Sequence, residues 1–261
     1  MTLRRRTLAW LGAALLLVAL APISLISAAA GPLEGRVICL DPGHGGSDPG
    51  AVYDDGTLYL EEEDINLDVS LRLQELLQNA GAQVVLTRTD DTYLTNADRY
   101  NFANAMGADI LVSVHTNSVA DPAVDGGYAL YFQDDDRILA QAIYDVMYPA
   151  LRDTAPAEVA DFRSFGLSKF ASGVLMKSNM PAAMMEPLFM SHPAEAALLA
   201  EPIYASDGSL ANLTGRRAQI ADSIYQGILS YFQQNPTDPG DEPGDKPGGG
   251  PPGGTPPGKN K

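Results

Sequence analysis

A chain of 261 residues with 45% hydrophobic side chains has enough apolar material for one sizeable folded core. Its formal charge is -16, and without the three arginines of the first thirty residues 14 basic stand against 33 acidic residues, or -19. That balance excludes the basic face that nucleic acid or anionic lipid requires, and leaves glycan and peptide substrates open.

The chain opens on Arg4-Arg5-Arg6, continues through an apolar stretch over residues 8–26, and reaches Ala28-Ala29-Ala30 before Gly31. A basic start, an apolar middle and small residues before a break predict a secretory signal over residues 1–30, cut after Ala30. The stretch is also just long enough to span a bilayer, so an uncleaved N-terminal anchor is the alternative. No cysteine ends it, which argues against a lipid anchor. The one cysteine, Cys39, lies in the apolar run Val37-Ile38-Cys39-Leu40 and reads as a buried small hydrophobe rather than a nucleophile.

Residues 36–40 predict a buried strand that stops at Asp41-Pro42-Gly43. Ile65, Val69, Leu73, Leu76 and Leu77 recur at helical spacing over residues 64–79, and Gly81 closes that helix. A second strand follows at 83–87, a helix at 97–106, a third strand at 110–114 and a fourth at 128–132. Residues 136–151 carry Leu139, Ala142, Ile143, Val146, Met147 and Ala150 on one helical face. Residues 173–176 and 182–186 read as further short strands. Ile220, Ile224, Ile228 and Phe232 mark a last helix from about residue 213 to 232. Residues 235–261 are almost wholly Pro, Gly, Asp and Lys, a composition that buries nothing and predicts a disordered tail.

Alternating strands and helices predict an α/β fold in a single domain over residues 31–234. Its centre is a twisted, mostly parallel sheet of about six strands with helices on both faces. In such sheets sites form beyond the carboxyl ends of the strands. His44 follows the first strand, in Asp41-Pro42-Gly43-His44-Gly45-Gly46, and His115 ends the third, in Val114-His115-Thr116-Asn117. Two imidazoles at equivalent sheet positions predict a metal site. Glu61, Glu62 and Glu63 stand just before the first helix, and spacing does not choose a third ligand among them. Glu186 closes the apolar run Met180-Pro181-Ala182-Ala183-Met184-Met185, an odd place for an acid unless it works at the site as a base. His192, in Ser191-His192-Pro193, reads as a loop residue.

In their order, these segments resemble the zinc-dependent N-acetylmuramoyl-L-alanine amidases of the amidase-3 family. The matching pieces are residues 38–46, Glu62-Glu63-Asp64-Ile65-Asn66-Leu67, Val85-Leu86-Thr87-Arg88-Thr89-Asp90-Asp91 with Arg99, residues 109–117 and residues 180–186. The resemblance implies His44, Glu62 and His115 as ligands of one Zn2+ and Glu186 as the catalytic glutamate. It further implies hydrolysis of the amide between N-acetylmuramic acid and L-alanine in peptidoglycan, and an exported protein acting in the cell envelope or outside the cell. A protein activator is a partner that some relatives need, and residues 134–170 are where a blocking helix would lie. Their apolar face reads instead as core. Pro187-Leu188-Phe189 after the glutamate departs from the family pattern and bears on peptide preference. A monomer is expected. The alternatives are a zinc hydrolase of another peptidoglycan amide, such as a peptide cross-link, and a non-catalytic wall-binding module.

Overall fold

The computed structural model of the chain describes residues 31–200 and 215–236. The expected signal at residues 1–30, residues 213–214 of the last expected helix and residues 237–261 of the tail lie outside them. The described elements run β1 (Val37–Pro42), β2 (Val52–Asp54), β3 (Tyr59–Glu61), α1 (Glu62–Asn79), β4 (Gln83–Leu86), α2 (Asn96–Ala105), β5 (Ile110–Val114) and β6 (Asp125–Tyr131). They continue with α3 (Asp134–Asp153), β7 (Phe162–Lys169), α4 (Gly173–Lys177), β8 (Ala182–Glu186), α5 (Pro193–Leu199) and α6 (Arg216–Gln234). None of the described helices is long and apolar enough to cross a membrane.

The expected sheet is present, with six strands in the order β4-β1-β5-β8-β6-β7. β4, β1, β5 and β8 are parallel, whereas β6 runs antiparallel to β8 and carries β7 parallel to itself. The uninterrupted apolar runs of β5 and β8 are buried on both faces, as central parallel strands require. Successive side chains point to opposite faces. Ile38, Leu40, Ile110, Val112, Ala183 and Met185 therefore join one large cluster with α1, α3 and α6. Cys39, Leu111, Ala182 and Met184 join a smaller cluster with Ala103 of α2 and Val174 and Leu175 of α4. Among the described residues, the short helices α2 and α4 cover this second face.

Four local readings differ from the sequence expectation. Residues 173–176 form the helix α4, where the Ser172 hydroxyl accepts from the Val174 amide at 3.3 Å. An apolar run that short has no period to separate strand from helix. β7 was not expected, because its sequence Phe-Arg-Ser-Phe-Gly-Leu-Ser-Lys mixes exposed and half-buried positions on an edge strand. The β2–β3 hairpin and α5 were not expected either. Their apolar content is too small to show a pattern. The segment at 134–153 is core as read: Leu139, Ile143, Met147 and Leu151 are fully buried.

Candidate metal centre

His44 lies in the turn after β1, with a left-handed backbone at φ 61°. For a residue other than glycine that conformation costs on the order of 1–3 kcal/mol and persists only where the surroundings impose it. Two buried arginines impose it here. Arg99 donates to the carbonyl of His44 at 2.8 Å, to that of Pro42 at 2.6 Å and to Asp41 Oδ1 at 2.9 Å. Arg88 donates to the carbonyls of Pro42 at 3.1 Å and Gly43 at 2.9 Å. The turn thus has its carbonyls drawn inward and its imidazole left to face the site.

Glu62 starts α1 and is buried, with its amide on the Ala51 carbonyl at 2.9 Å. Its Oε2 accepts from the Ala51 amide at 2.9 Å, and its Oε1 from Asn66 Nδ2 at 3.1 Å and the Thr116 amide at 3.2 Å. The same two oxygens lie 3.3 Å from His44 Nε2 and 3.0 Å from His115 Nδ1. The imidazoles meet edge to face with centroids 5.0 Å apart. On its far side His44 Nδ1 is 2.9 Å from Asp48 Oδ2, a carboxylate–histidine contact that fixes tautomer and ring orientation. Among the described residues, His44, Glu62 and His115 form the cluster whose donor atoms all lie within 4.8 Å of one another.

The electrostatics follow from this crowding. Burial alone would raise the Glu62 carboxyl, but its hydrogen bonds to His115 and His44 hold it well below the usual carboxylate range. Burial would lower His44, and the Glu62 and Asp48 carboxylates override it and lift the ring to about 9. His115 is raised in the same way by Glu62 and Glu186. Glu186 ends β8 beside this cluster. Burial and the Glu62 charge push it up to about 7, against the pull of the two imidazoles. Its Oε2 is buried with no hydrogen-bond partner.

Two imidazoles, one carboxylate and a buried acid with an unused oxygen fit a divalent metal with an open coordination position. These donor types suit zinc. Glycine at 43 keeps the site compact: a Cβ there would stand 2.5 Å from His115 Nε2 and 2.6 Å from Nδ1. Gly43→Ala is expected to displace that ring and weaken metal binding by about 10–100-fold, the range for disturbed ligand supports. Competition with a chelating dye measures it, and an unchanged affinity would show that the ring has room to yield.

The four expected residues are thus brought together, three as one cluster and the fourth beside it. His192 is not among them. It is the N-cap of α5, with Nδ1 accepting from the Ala194 amide at 3.2 Å. The supporting roles of Asp48, Asn66, Arg88 and Arg99 were not legible. The two arginines stood in the matched segments, and for Arg88 a basic residue just past a strand end was the available signal.

A family model described as N-acetylmuramoyl-L-alanine amidase matches residues 38–230. The germination-specific N-acetylmuramoyl-L-alanine amidase of Bacillus subtilis is 32% identical over 226 residues, covering 80% of this chain and 84% of that protein. The crystal structure of an N-acetylmuramoyl-L-alanine amidase from Clostridium difficile 630 superposes with a TM-score of 0.62 at 30% identity, covering 76% of this chain and 97% of that one. The CwlD amidase from Clostridioides difficile, solved in complex with the GerS lipoprotein, gives 0.61 at 27% identity, covering 76% and 99%.

Proposed function

Because this chain belongs to the amidase-3 family of N-acetylmuramoyl-L-alanine amidases, we propose that His44, Glu62 and His115 hold one zinc ion and that Glu186 is the acid–base of the reaction. The substrate is peptidoglycan, and the bond cut joins the lactyl group of N-acetylmuramic acid to L-alanine. One observation carries the assignment of roles: the three donors converge beside a buried carboxyl with a free oxygen. A zinc ion held by these three residues would supply Lewis acidity for the attack of water on the amide carbonyl.

The protein's own groups do the rest. Asp48 orients the His44 ring, and Asn66 and the Thr116 amide orient Glu62. Glu186 takes a proton from the attacking water as its oxygen bonds to the carbonyl carbon. As the carbon–nitrogen bond breaks, the same carboxyl returns that proton to the departing amine of L-alanine. Burial raises this carboxyl above the usual carboxylate range, the direction a group that both takes and returns a proton requires.

Residues 1–30 are proposed as an export signal, which places the enzyme in the envelope or outside the cell, and residues 235–261 as a tail that takes no part in catalysis. The enzyme is proposed to act as a monomer. The solved pairing of CwlD with GerS supports an accessory protein as a partner of this chain as well. The test is incubation of the exported protein with intact peptidoglycan and mass spectrometry of what is released. Free peptides beginning with L-alanine are expected. They are lost on chelation and restored by zinc but not magnesium, which binds two imidazoles poorly. Release of cleaved cross-links with muramic acid still joined to alanine would establish a peptidase instead. Activity that survives full chelation would remove the metal assignment.

A further inference from the structure

Glu186 has the metal-ligand cluster on one side and an aromatic group on the other. Across the sheet, His44 follows β1, His115 follows β5, Glu186 ends β8, Tyr128 lies in β6 and Phe165 in β7. Tyr128 is directly opposite Glu186 in the antiparallel pair, so both side chains stand on the same face. That is the face of the smaller cluster, against which Tyr128 packs. Phe165 meets Tyr128 edge to face at 5.9 Å and leans on Phe189 at 5.4 Å, yet 38% of its surface is exposed.

Its exposure is imposed by the backbone. Gly127 pairs with Ser164 and Tyr128 with Gly166, which leaves Phe165 as the extra residue of a bulge. Such bulges re-aim a side chain on an edge strand. Gly166 follows at φ 70°, and its amide donates to the Tyr144 hydroxyl at 3.0 Å. Tyr128 is fixed from behind by its hydroxyl on Ser168 Oγ at 2.8 Å. A half-exposed phenyl ring is thus held at the sheet edge, with Tyr128 between it and Glu186.

We propose that Phe165, backed by Tyr128, is a specificity residue that receives the third residue of the stem peptide. The inference rests on the amidase reading and on Glu186 protonating the leaving amine. The lactyl carbonyl belongs on the ligand side of Glu186 and the nitrogen at Glu186, so the peptide leaves toward β6 and β7 and the glycan toward β1. β7 stands two strand spacings from β8, about 9.5 Å. An extended peptide covers that distance in about three residues. The phenyl face suits the alkyl part of a long third side chain through apolar contact.

The experiment compares wild type and Phe165→Ala on muramoyl dipeptide, muramoyl tripeptide, and the tripeptide carried on a longer glycan. The loss in kcat/KM on the tripeptide is expected to exceed that on the dipeptide by about tenfold, mostly through KM. It should not grow with glycan length. Phe165→Trp should restore the preference. With Trp10, the chain's single tryptophan, replaced by Phe, its fluorescence should respond to free tripeptide and not to free dipeptide. Equal losses on both peptides, a loss that tracks glycan length, or an indole silent to the tripeptide would each overturn the proposal. If wild type releases no peptide from any substrate, the amidase reading fails separately, and the fluorescence titration still decides whether the ring binds peptide.

Discussion

Glu186→Gln is expected to lower kcat for peptide release by about 10²–10⁴-fold while leaving the fold and the metal in place. That is about 3–5 kcal/mol of transition-state stabilisation from one group. The amide has the shape of the carboxyl and can still accept a hydrogen bond, but it cannot take a proton from water or return one to an amine. Substrate binding needs no such transfer, so KM should change little. Zinc content by elemental analysis and the unfolding midpoint should match wild type, because the three proposed ligands are untouched and no cavity is opened. A loss of zinc in this variant would instead make Glu186 a ligand, and activity within tenfold of wild type would leave the reaction without an assigned base.

Arg216→Met is expected to destabilise the protein by about 3–5 kcal/mol at pH 8, where Glu195 is ionised, the cost of stranding a buried charge. Arg216 and Glu195 are both fully buried and form a two-pronged pair at 2.6 and 2.7 Å. The same guanidinium reaches Thr154 and the Leu151 carbonyl, tying the start of α6 to the end of α3. Asp125 shares the site, and its Oδ1 accepts from the Gly126 and Phe189 amides at 2.8 and 2.9 Å. The knot therefore also fixes the segment that follows Glu186.

Two buried carboxyls beside one guanidinium titrate as a unit. Burial raises both, and Glu195 reaches about 7. A carboxyl raised in the fold favours the protonated state. Its contribution is complete below the unfolded value near 4.5 and is lost as pH rises through about 7. Without the arginine the charged form is harder still to keep buried. The loss in Arg216→Met should accordingly be larger at pH 8 than at pH 5 in urea titrations, and adding Glu195→Gln should recover part of it. A loss independent of pH would mean that the arginine acts by packing alone.

Much of the architecture was legible because it depends on neighbours in the chain. The runs of β1, β5 and β8 are apolar because both their faces are buried, and α1, α3 and α6 show their buried stripes at helical spacing. His44, His115 and Glu186 were legible for a related reason. A polar, chemically able residue that ends a buried strand stands where a parallel sheet opens its site. The resemblance, not the spacing, singled out Glu62. Its tertiary setting supplies the reason: of the three adjacent glutamates, Glu62 lies with its carboxylate between the two imidazoles.

The rest depends on contacts between residues far apart in sequence. β7 and the β2–β3 hairpin carry too little apolar pattern to announce themselves, and pairing with neighbours defines them. His192 reads as a loop residue until its ring is seen to accept from the Ala194 amide. The strained turn at His44 needs Arg88 and Arg99, which are 44 and 55 positions away by their numbering. The sequence by itself thus determined the layers, the main buried strands and helices that make them, and the residue types able to do the chemistry. Only the tertiary structure decided which oxygen faces which nitrogen, because that follows from burial and hydrogen bonding among segments brought together only by folding.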